Sequence, residues 1–448
     1  IGNADGSNSQ PELLFWLSAD STSYVDGEAV SSWADLSGNG RDFAQSNSGE
    51  QPAFDADGIG GKPAIAFDNT DMSLVDEDGE DYINGLSAFS LIAVVQSNDN
   101  NTDAGYFNAE DPDGSDDVLM IRYDSDGFSG NGSQVIKAAV TTGDGTTKLE
   151  SSSGLQTTDK QLLSMQWESS DELSLFTDGT VDSPTYSAGA LSGSVTNATK
   201  AIIGKGDKDQ SNSWDGAIAE IFLYANNLND ARRTIVENYL AEKYDLTIVN
   251  DRLTGNATNY QYGITGIGKE SSGDWGETVS AGLYIQQNGN FNNGDYLMAA
   301  HANVANDIAS ISTGDTVTSA GAEAAWNREW YLEKTGSLDA QLRFNVPEGI
   351  EGGKYPEIAS NYVLLFRDDT TKNYSQVTTA SSIEGSDEVV FSLSDAELSN
   401  GYYTLGTLDQ NASPVEGKEG RTWYTLVSGD WNNHEIWTLD PSGALPDN

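Results

Sequence analysis

Short apolar segments separated by Gly, Ser, Asn and Asp run the length of this chain, and most alternate with the period of two that a half-buried strand requires. In the first half the pattern predicts strands near Leu13–Leu17, Ala64–Phe67, Phe89–Val95, Val118–Tyr123, Leu162–Trp167, Leu173–Thr177, Ala201–Gly204 and Ala217–Tyr224. Asp178-Gly179, between two such runs, has the residue types of a two-residue hairpin turn. A second series follows at Gly263–Gly268, Gly282–Gln286, Tyr296–Ala300, Trp330–Glu333, Ala340–Val346, Tyr362–Arg367, Val389–Leu393 and Tyr402–Gly406. One segment keeps a different period. From Asp230 to Tyr244 the apolar residues Ala231, Ile235, Val236, Tyr239, Leu240 and Tyr244 recur at helical spacing, with Asn229 placed to cap the start and Lys243 in the last turn. This predicts one amphipathic helix laid against a sheet.

The 448 residues are too many for one core. The polar stretch after Ile248 places a boundary there, giving expected domains at 1–248 and 249–409. The Gly-, Pro- and Glu-containing stretch 410–420 reads as a linker, and 421–448 reads as the start of a further, truncated module, rich in Trp but too short for a core. The longest apolar runs are strand length, far short of the ~20 residues that span a bilayer, so no membrane insertion is expected in this region.

Charge narrows the partners. Asp and Glu number 70 against 22 Lys and Arg, a formal net charge of −48, which repels phosphate backbones and anionic lipid and excludes nucleic acid as a partner. Such acidity suits a salty extracellular setting and the capture of divalent cations. There is no cysteine and only two histidines, His301 and His434, which removes disulfides and thiolate metal sites and leaves almost no imidazole for acid-base work.

Three segments of the first half, Leu14-Phe15-Trp16-Leu17-Ser18-Ala19-Asp20, Val30 to Gly40 (with Trp33-Ala34-Asp35-Leu36-Ser37-Gly38-Asn39) and Lys62 to Asp68, resemble the laminin-G-like, concanavalin A-like modules of bacterial surface proteins. Trp214 to Ile221, leading into the helix that ends at Tyr244, resembles the close of that module. Tyr262 to Lys269 and Gly294 to His301 resemble a module that follows the sandwich in large exported proteins of Bacteroidetes-type bacteria, although Lys269-Glu270 stands where an Arg-Asp pair is common. The resemblance implies an all-β fold: a concanavalin A-like jelly-roll sandwich with one C-terminal helix, then a second, smaller β-sandwich. It also implies passage through type IX secretion machinery to the cell surface of a Gram-negative bacterium. Within the sandwich, Trp16, Trp33, Phe67 and Ile221 are expected to fill the core.

Candidate sites lie in loops. Asp76, Asp78 and Asp81, then Asp111, Asp113, Asp116 and Asp117, then Asp124 with Asp126, space carboxylates around Gly turns as calcium ligands require; solvated turns have the same spacing. Trp214, in a polar loop with Asp209 and Asn212, and Tyr106 offer aromatic planes beside amides and carboxylates, the chemistry of glycan stacking; plugging the end of the sandwich is the structural alternative. A glycosidase needs two carboxylates facing a cleft, and Glu168, Asp171 and Glu172 come nearest with the wrong spacing for the strand motif of such enzymes on this fold. No nucleophile elbow, phosphate loop or His-Glu-x-x-His is present. His301, after an apolar strand, is expected to be capped or at the surface. The expected function is therefore a non-catalytic cell-surface adhesin or binding protein, contacting polysaccharide or other cells and stabilised by calcium. A structural spacer and a polysaccharide-degrading enzyme are the alternatives.

Overall fold

The computed structural model describes residues 12–111, 118–127, 132–206, 212–255, 260–302, 311–346, 358–385 and 388–415, with two short paired strands at Tyr424–Thr425 and Trp437–Thr438. It is built almost wholly of antiparallel strands. The chain divides into two compact units, one of Ile1–Thr254 with Ile267–Trp275, the other of Gly255–Gly266 with Gly276–Asn448.

The first unit runs β1 (Leu13–Ser18), β2 (Ser32–Trp33), β3 (Phe43–Ala44), β4 (Ala53–Ile59), β5 (Lys62–Asp68), β6 (Leu74–Asp76), α1 (Glu80–Ile83), β7 (Ala88–Ser97) and β8 (Ala104–Glu110). It continues with β9 (Leu119–Asp124), β10 (Val135–Thr142), β11 (Gly145–Glu150), β12 (Lys160–Glu168), β13 (Ser174–Thr177) and β14 (Thr180–Val181). β15 (Tyr186–Ser187), β16 (Lys200–Ile203), β17 (Asp215–Tyr224) and α2 (Asp230–Tyr244) complete it. One sheet has the order β14-β13-β12-β7-β17-β5-β4, with β1 also on β17; the other has the order β15-β11-β10-β9-β8-β16-β6-β3-β2. Both are antiparallel, and their facing sides enclose Phe15, Leu91, Val95, Leu163, Trp167 and Ile221 with Phe107, Ile121, Tyr123, Ile136 and Val140. This is the jelly-roll sandwich that the sequence predicts.

The helix forms where its spacing places it. Asn229 Oδ1 accepts from the Arg232 N–H at 2.9 Å, and the chain leaves α2 through Asp245 in the left-handed region. Its stripe of Val236, Leu240, Ala241 and Tyr244 packs on the outer side of the first sheet, against Ile92, Val94, Phe222 and Tyr224. Because that sheet is covered on both sides, β7 is buried along almost all its length. The β4–β5 turn abuts the helix end closely: a Cβ on Gly60, at φ +63°, would sit 2.0 Å from the Tyr244 carbonyl oxygen. Asp178 and Gly179 both take positive φ in the two-residue turn between β13 and β14, as their residue types dictate.

Trp16 departs from expectation. Trp33, Phe67 and Ile221 lie between the sheets, but Trp16 faces the helix and stacks on Phe222 at 5.7 Å. An irregularity between Leu13 and Phe15 changes which side of β1 each residue faces. Trp16 Nε1–H donates at 2.6 Å to Glu220, a fully buried carboxylate that also accepts from Tyr239 at 2.8 Å, Tyr244 at 2.7 Å and Lys243 at 2.7 Å. The Asp35-to-Arg41 turn clasps the same strand. Asp35 Oδ1 accepts from the Trp16 and Ser37 N–H groups at 2.9 and 2.8 Å, while Asn39 Nδ2 donates to the Leu13 carbonyl at 2.8 Å and Arg41 to that of Leu14 at 2.7 Å. The motif that carries the family resemblance is thus a structural clip.

The second unit is the smaller β-sandwich. One sheet holds Tyr296–His301, Trp330–Thr335, Gly401–Thr407, Ala324–Trp326 and Tyr362–Arg367; the other holds Glu277–Ser280, Leu283–Gln287, Ala340–Asn345, Glu388–Leu393 and Ser382–Glu384. Trp326 and Trp330 of the first meet Phe344 of the second edge-on at 5.8 and 5.6 Å. Glu329 gathers Arg367, Tyr374 and Tyr260 around one carboxylate.

His301 is buried rather than at the surface, with its Nδ1–H donating to the Ala302 carbonyl at 2.8 Å. Burial pushes the imidazole below its ordinary 6.5, and the Arg328 charge adds to that effect. The unfolded chain therefore binds the proton more readily, so this group's contribution to stability is full above about pH 6.5 and is lost as pH falls below it. The melting temperature is expected to drop between about pH 8 and pH 5.5, and His301→Gln is expected to remove much of that drop. An equal drop in the variant would assign the acid sensitivity elsewhere.

Candidate functional site

Trp214 immediately precedes β17 with its ring fully buried, edge-on to Tyr106 at 5.7 Å and to Tyr123 at 5.1 Å. Tyr106 is equally buried, because the β8 register shifts between Gly105 and Phe107 and sends both aromatic side chains inward. Neither ring has a face that a sugar can reach. This corrects the reading of Trp214 and Tyr106 as stacking platforms: polar neighbours in sequence do not keep a ring at the surface when strand pairing draws it into the core. Asn212 is half-buried and its carbonyl accepts from the Gly105 N–H at 3.0 Å. Asp209 lies outside the described residues.

The acidic loops separate. Asp76 is buried at the end of β6, its Oδ1 accepting from the Asp78 N–H at 3.1 Å and its carboxyl pushed up by burial, while Asp78 and Asp81 are exposed in the turn and in α1. Among the described residues no three acids or histidines stand close enough to share a metal. The Asp76, Asp78 and Asp81 loop is thus a turn leading into one helical turn, not a converged ligand set. Asp111 is buried, and Asp113, Asp116 and Asp117 lie outside the described residues. Asp124 is fully buried and committed to cations, with Lys137 Nζ at 2.7 Å and Arg122 at 2.8 Å.

What the fold does assemble is an open cleft of about 490 Å³ on the outer side of the first sheet, at the N-terminal end of α2. β12 ends at Glu168, turns through Ser170 at φ +80° with the Asp171 N–H on the Glu168 carbonyl at 2.9 Å, and returns as β13 with Ser174 and Phe176 on the wall. Asn227, Leu228 and Asn229, between β17 and α2, and Asp230, the first residue of α2, face them, and Ser272 completes the lining. Gln166 ties the two sides together, its amide donating to Ser90 Oγ at 2.9 Å and to the Leu228 carbonyl at 3.1 Å.

Polar groups dominate the lining. Glu168, Asp171 and Glu172 are exposed at the turn, and Glu172 accepts from Ser187 Oγ at 3.2 Å. Arg233 holds Asp230 at 2.8 Å and Glu237 at 3.1 Å, and its guanidinium lies 3.8 Å over the Phe176 ring. Burial raises the Asp230 carboxyl, but hydrogen bonds from Arg233 and Ser272 outweigh it and hold the group below the usual carboxylate range. That is the wrong direction for a general acid. The cleft is open and its lining offers carboxylates, amides and hydroxyls as hydrogen-bonding groups.

The sequence brought Glu168, Asp171 and Glu172 together but could not supply the opposite wall. That wall lies more than fifty positions later and reaches the turn only through the pairing of β12, β7 and β17. Asn229 was legible as a helix cap, and nothing in its local sequence marks it as lining a cleft.

No family model matches the sequence, and no curated relative matches it. Solved structures that it resembles do so weakly, at low identity and low TM-score. The binding domain of Paraclostridial Mosquitocidal Protein 1 is 12% identical, with 88% of this chain and 91% of that one covered and a TM-score of 0.37. Domain 4 of AbnA, an extracellular GH43 arabinanase from Geobacillus stearothermophilus seen with arabinotriose, is 18% identical over 49% of this chain and 95% of that one, at a TM-score of 0.33. Trypanosoma rangeli sialidase is 16% identical over 50% of this chain and 32% of the enzyme, at a TM-score of 0.32, so this chain spans about a third of the sialidase.

Proposed function

We propose that this chain is a non-catalytic binding protein of the bacterial cell surface that contacts polysaccharide through the cleft beside α2. The observation that carries the reading is the cleft itself: about 490 Å³, open, and lined by carboxylate, amide and hydroxyl groups on a sheet made rigid by burial on both sides. The resemblance of the first module to surface-protein sandwiches supports export to the exterior of a Gram-negative cell. The acidity of the chain suits that setting. An adhesin needs hydrogen-bonding groups for sugar hydroxyls, and the carboxylates, amides and hydroxyls of the cleft supply them.

A polysaccharide array is expected to show saturable binding by the whole chain. Combined Asp171→Ala and Glu172→Ala substitutions are expected to weaken it at least about tenfold, the equivalent of about 1.4 kcal/mol, with the melting temperature unchanged. Release of oligosaccharides during the assay would replace this reading with an enzymatic one. A blank array from a stably folded chain would leave a structural spacer.

A further inference from the structure

Resting on the glycan reading of the cleft, we infer that its occupant is a saccharide bearing free amines, of the glucosamine-oligomer class, and that anionic glycans are turned away. Among the described residues the lining contains Glu168, Asp171, Glu172 and Asp230 and no cationic side chain. The guanidinium beside it is already committed, since Arg233 pairs with Asp230 at 2.8 Å and Glu237 at 3.1 Å and lies over Phe176 at 3.8 Å. An incoming carboxylate or sulfate would therefore meet like charge with no counterion to receive it, against the background of a chain at −48. A protonated amine on a pyranose would instead be attracted to the turn carboxylates, while the ring hydroxyls bond to Ser174, Asn227 and the remaining carboxylate oxygens. The Asp230 carboxyl, held low by Arg233 and Ser272, keeps its charge through the mildly acidic range in which the amine is fully protonated. Each exposed pairing is worth roughly two- to fivefold in affinity, so three at the turn give a selectivity of roughly tenfold or more.

The test uses titration calorimetry with the whole chain at about pH 6 and low salt. The probes are a glucosamine tetramer, its fully N-acetylated counterpart and a galacturonate tetramer. The glucosamine tetramer is expected to bind at least about tenfold more tightly than the acetylated one, with no detectable binding of the galacturonate. Because the whole protein attracts cations, two variants of equal charge are compared. Combined Glu168→Gln, Asp171→Asn and Glu172→Gln is expected to abolish the preference and leave binding of the neutral oligomer. Combined Asp57→Asn, Glu77→Gln and Asp159→Asn, outside the lining, is expected to retain it. Equal loss in both variants, or galacturonate binding as tight as glucosamine, overturns the charge selection and leaves the glycan reading standing. Absence of binding by all three probes overturns the amine inference, while the polysaccharide array decides the glycan reading separately.

Discussion

Glu220→Ala is expected to lower the melting temperature of the first unit by about 10 °C, a loss of about 3–5 kcal/mol. The carboxylate is fully buried and receives four donors, Trp16 Nε1, the Tyr239 and Tyr244 hydroxyls and Lys243 Nζ. Removing it strands three neutral donors and leaves the Lys243 ammonium, only 11% exposed, with the half-exposed Asp20 as its one remaining anion. The three aromatic rings cannot turn to water, because they form the contact between α2 and the first sheet. Adding Lys243→Met to Glu220→Ala is expected to recover part of the loss, since it removes the uncompensated charge. Thermal unfolding monitored by near-ultraviolet circular dichroism checks both. A shift under about 2 °C for Glu220→Ala would show that the helix is held by apolar contact alone.

The same locus shows how far the sequence carries the fold. Helix α2 was legible to its ends because cap, stripe and terminal cation agree with one period. The sheets were legible as a class because alternation and turn residues recur, as at Asp178-Gly179. The face on which a residue sits was not legible in strands buried on both sides. All six residues of β1 are buried, so nothing in Leu-Leu-Phe-Trp-Leu-Ser says which aromatic meets the opposite sheet and which meets the helix. The irregularity near Leu14 decides it, and it depends on pairing with β17, two hundred positions away. Trp214 and Tyr106 failed for the converse reason, since their polar sequence surroundings suggested exposure while pairing across Gly105 buried them. For the cleft, one wall was visible as an acidic turn and the other was visible only as a helix cap. Their meeting is a property of the sheet order, which local patterns do not encode.

Asp124→Ala is expected to cost a similar amount, about 3–5 kcal/mol, chiefly by taking the carboxylate partner from the largely buried Lys137 and Arg122. Asp124 ends β9 on the outward side of the second sheet, fully buried, with Lys137 Nζ at 2.7 Å, Arg122 Nη2 at 2.8 Å and the Asp126 and Gly127 N–H groups at 3.1 and 3.2 Å. Burial alone would raise its carboxyl, but the Lys137 hydrogen bond, the Asp126 N–H and the Arg122 charge outweigh that and hold it below its ordinary 3.8. A depressed folded value means that the unfolded chain takes up the proton first. The stabilisation is therefore complete at pH values above 3.8 and is lost as pH falls through the depressed value. Denaturant unfolding of wild type and of Asp124→Asn is expected to differ most near neutrality and to converge in strong acid, because the carboxylate being compared is then protonated in both states of the wild type. A difference that persists unchanged at about pH 2 would mean that the aspartate acts through shape and hydrogen bonding rather than charge. In β10 Lys137 stands between Ile136 and Ala138, which face the core, and it is paired across the sheet with Arg122 on one side and Glu150 on the other. A slip by one residue would drive these charges between the sheets, so the network that stabilises the outward side also fixes the register that gives the sandwich its core.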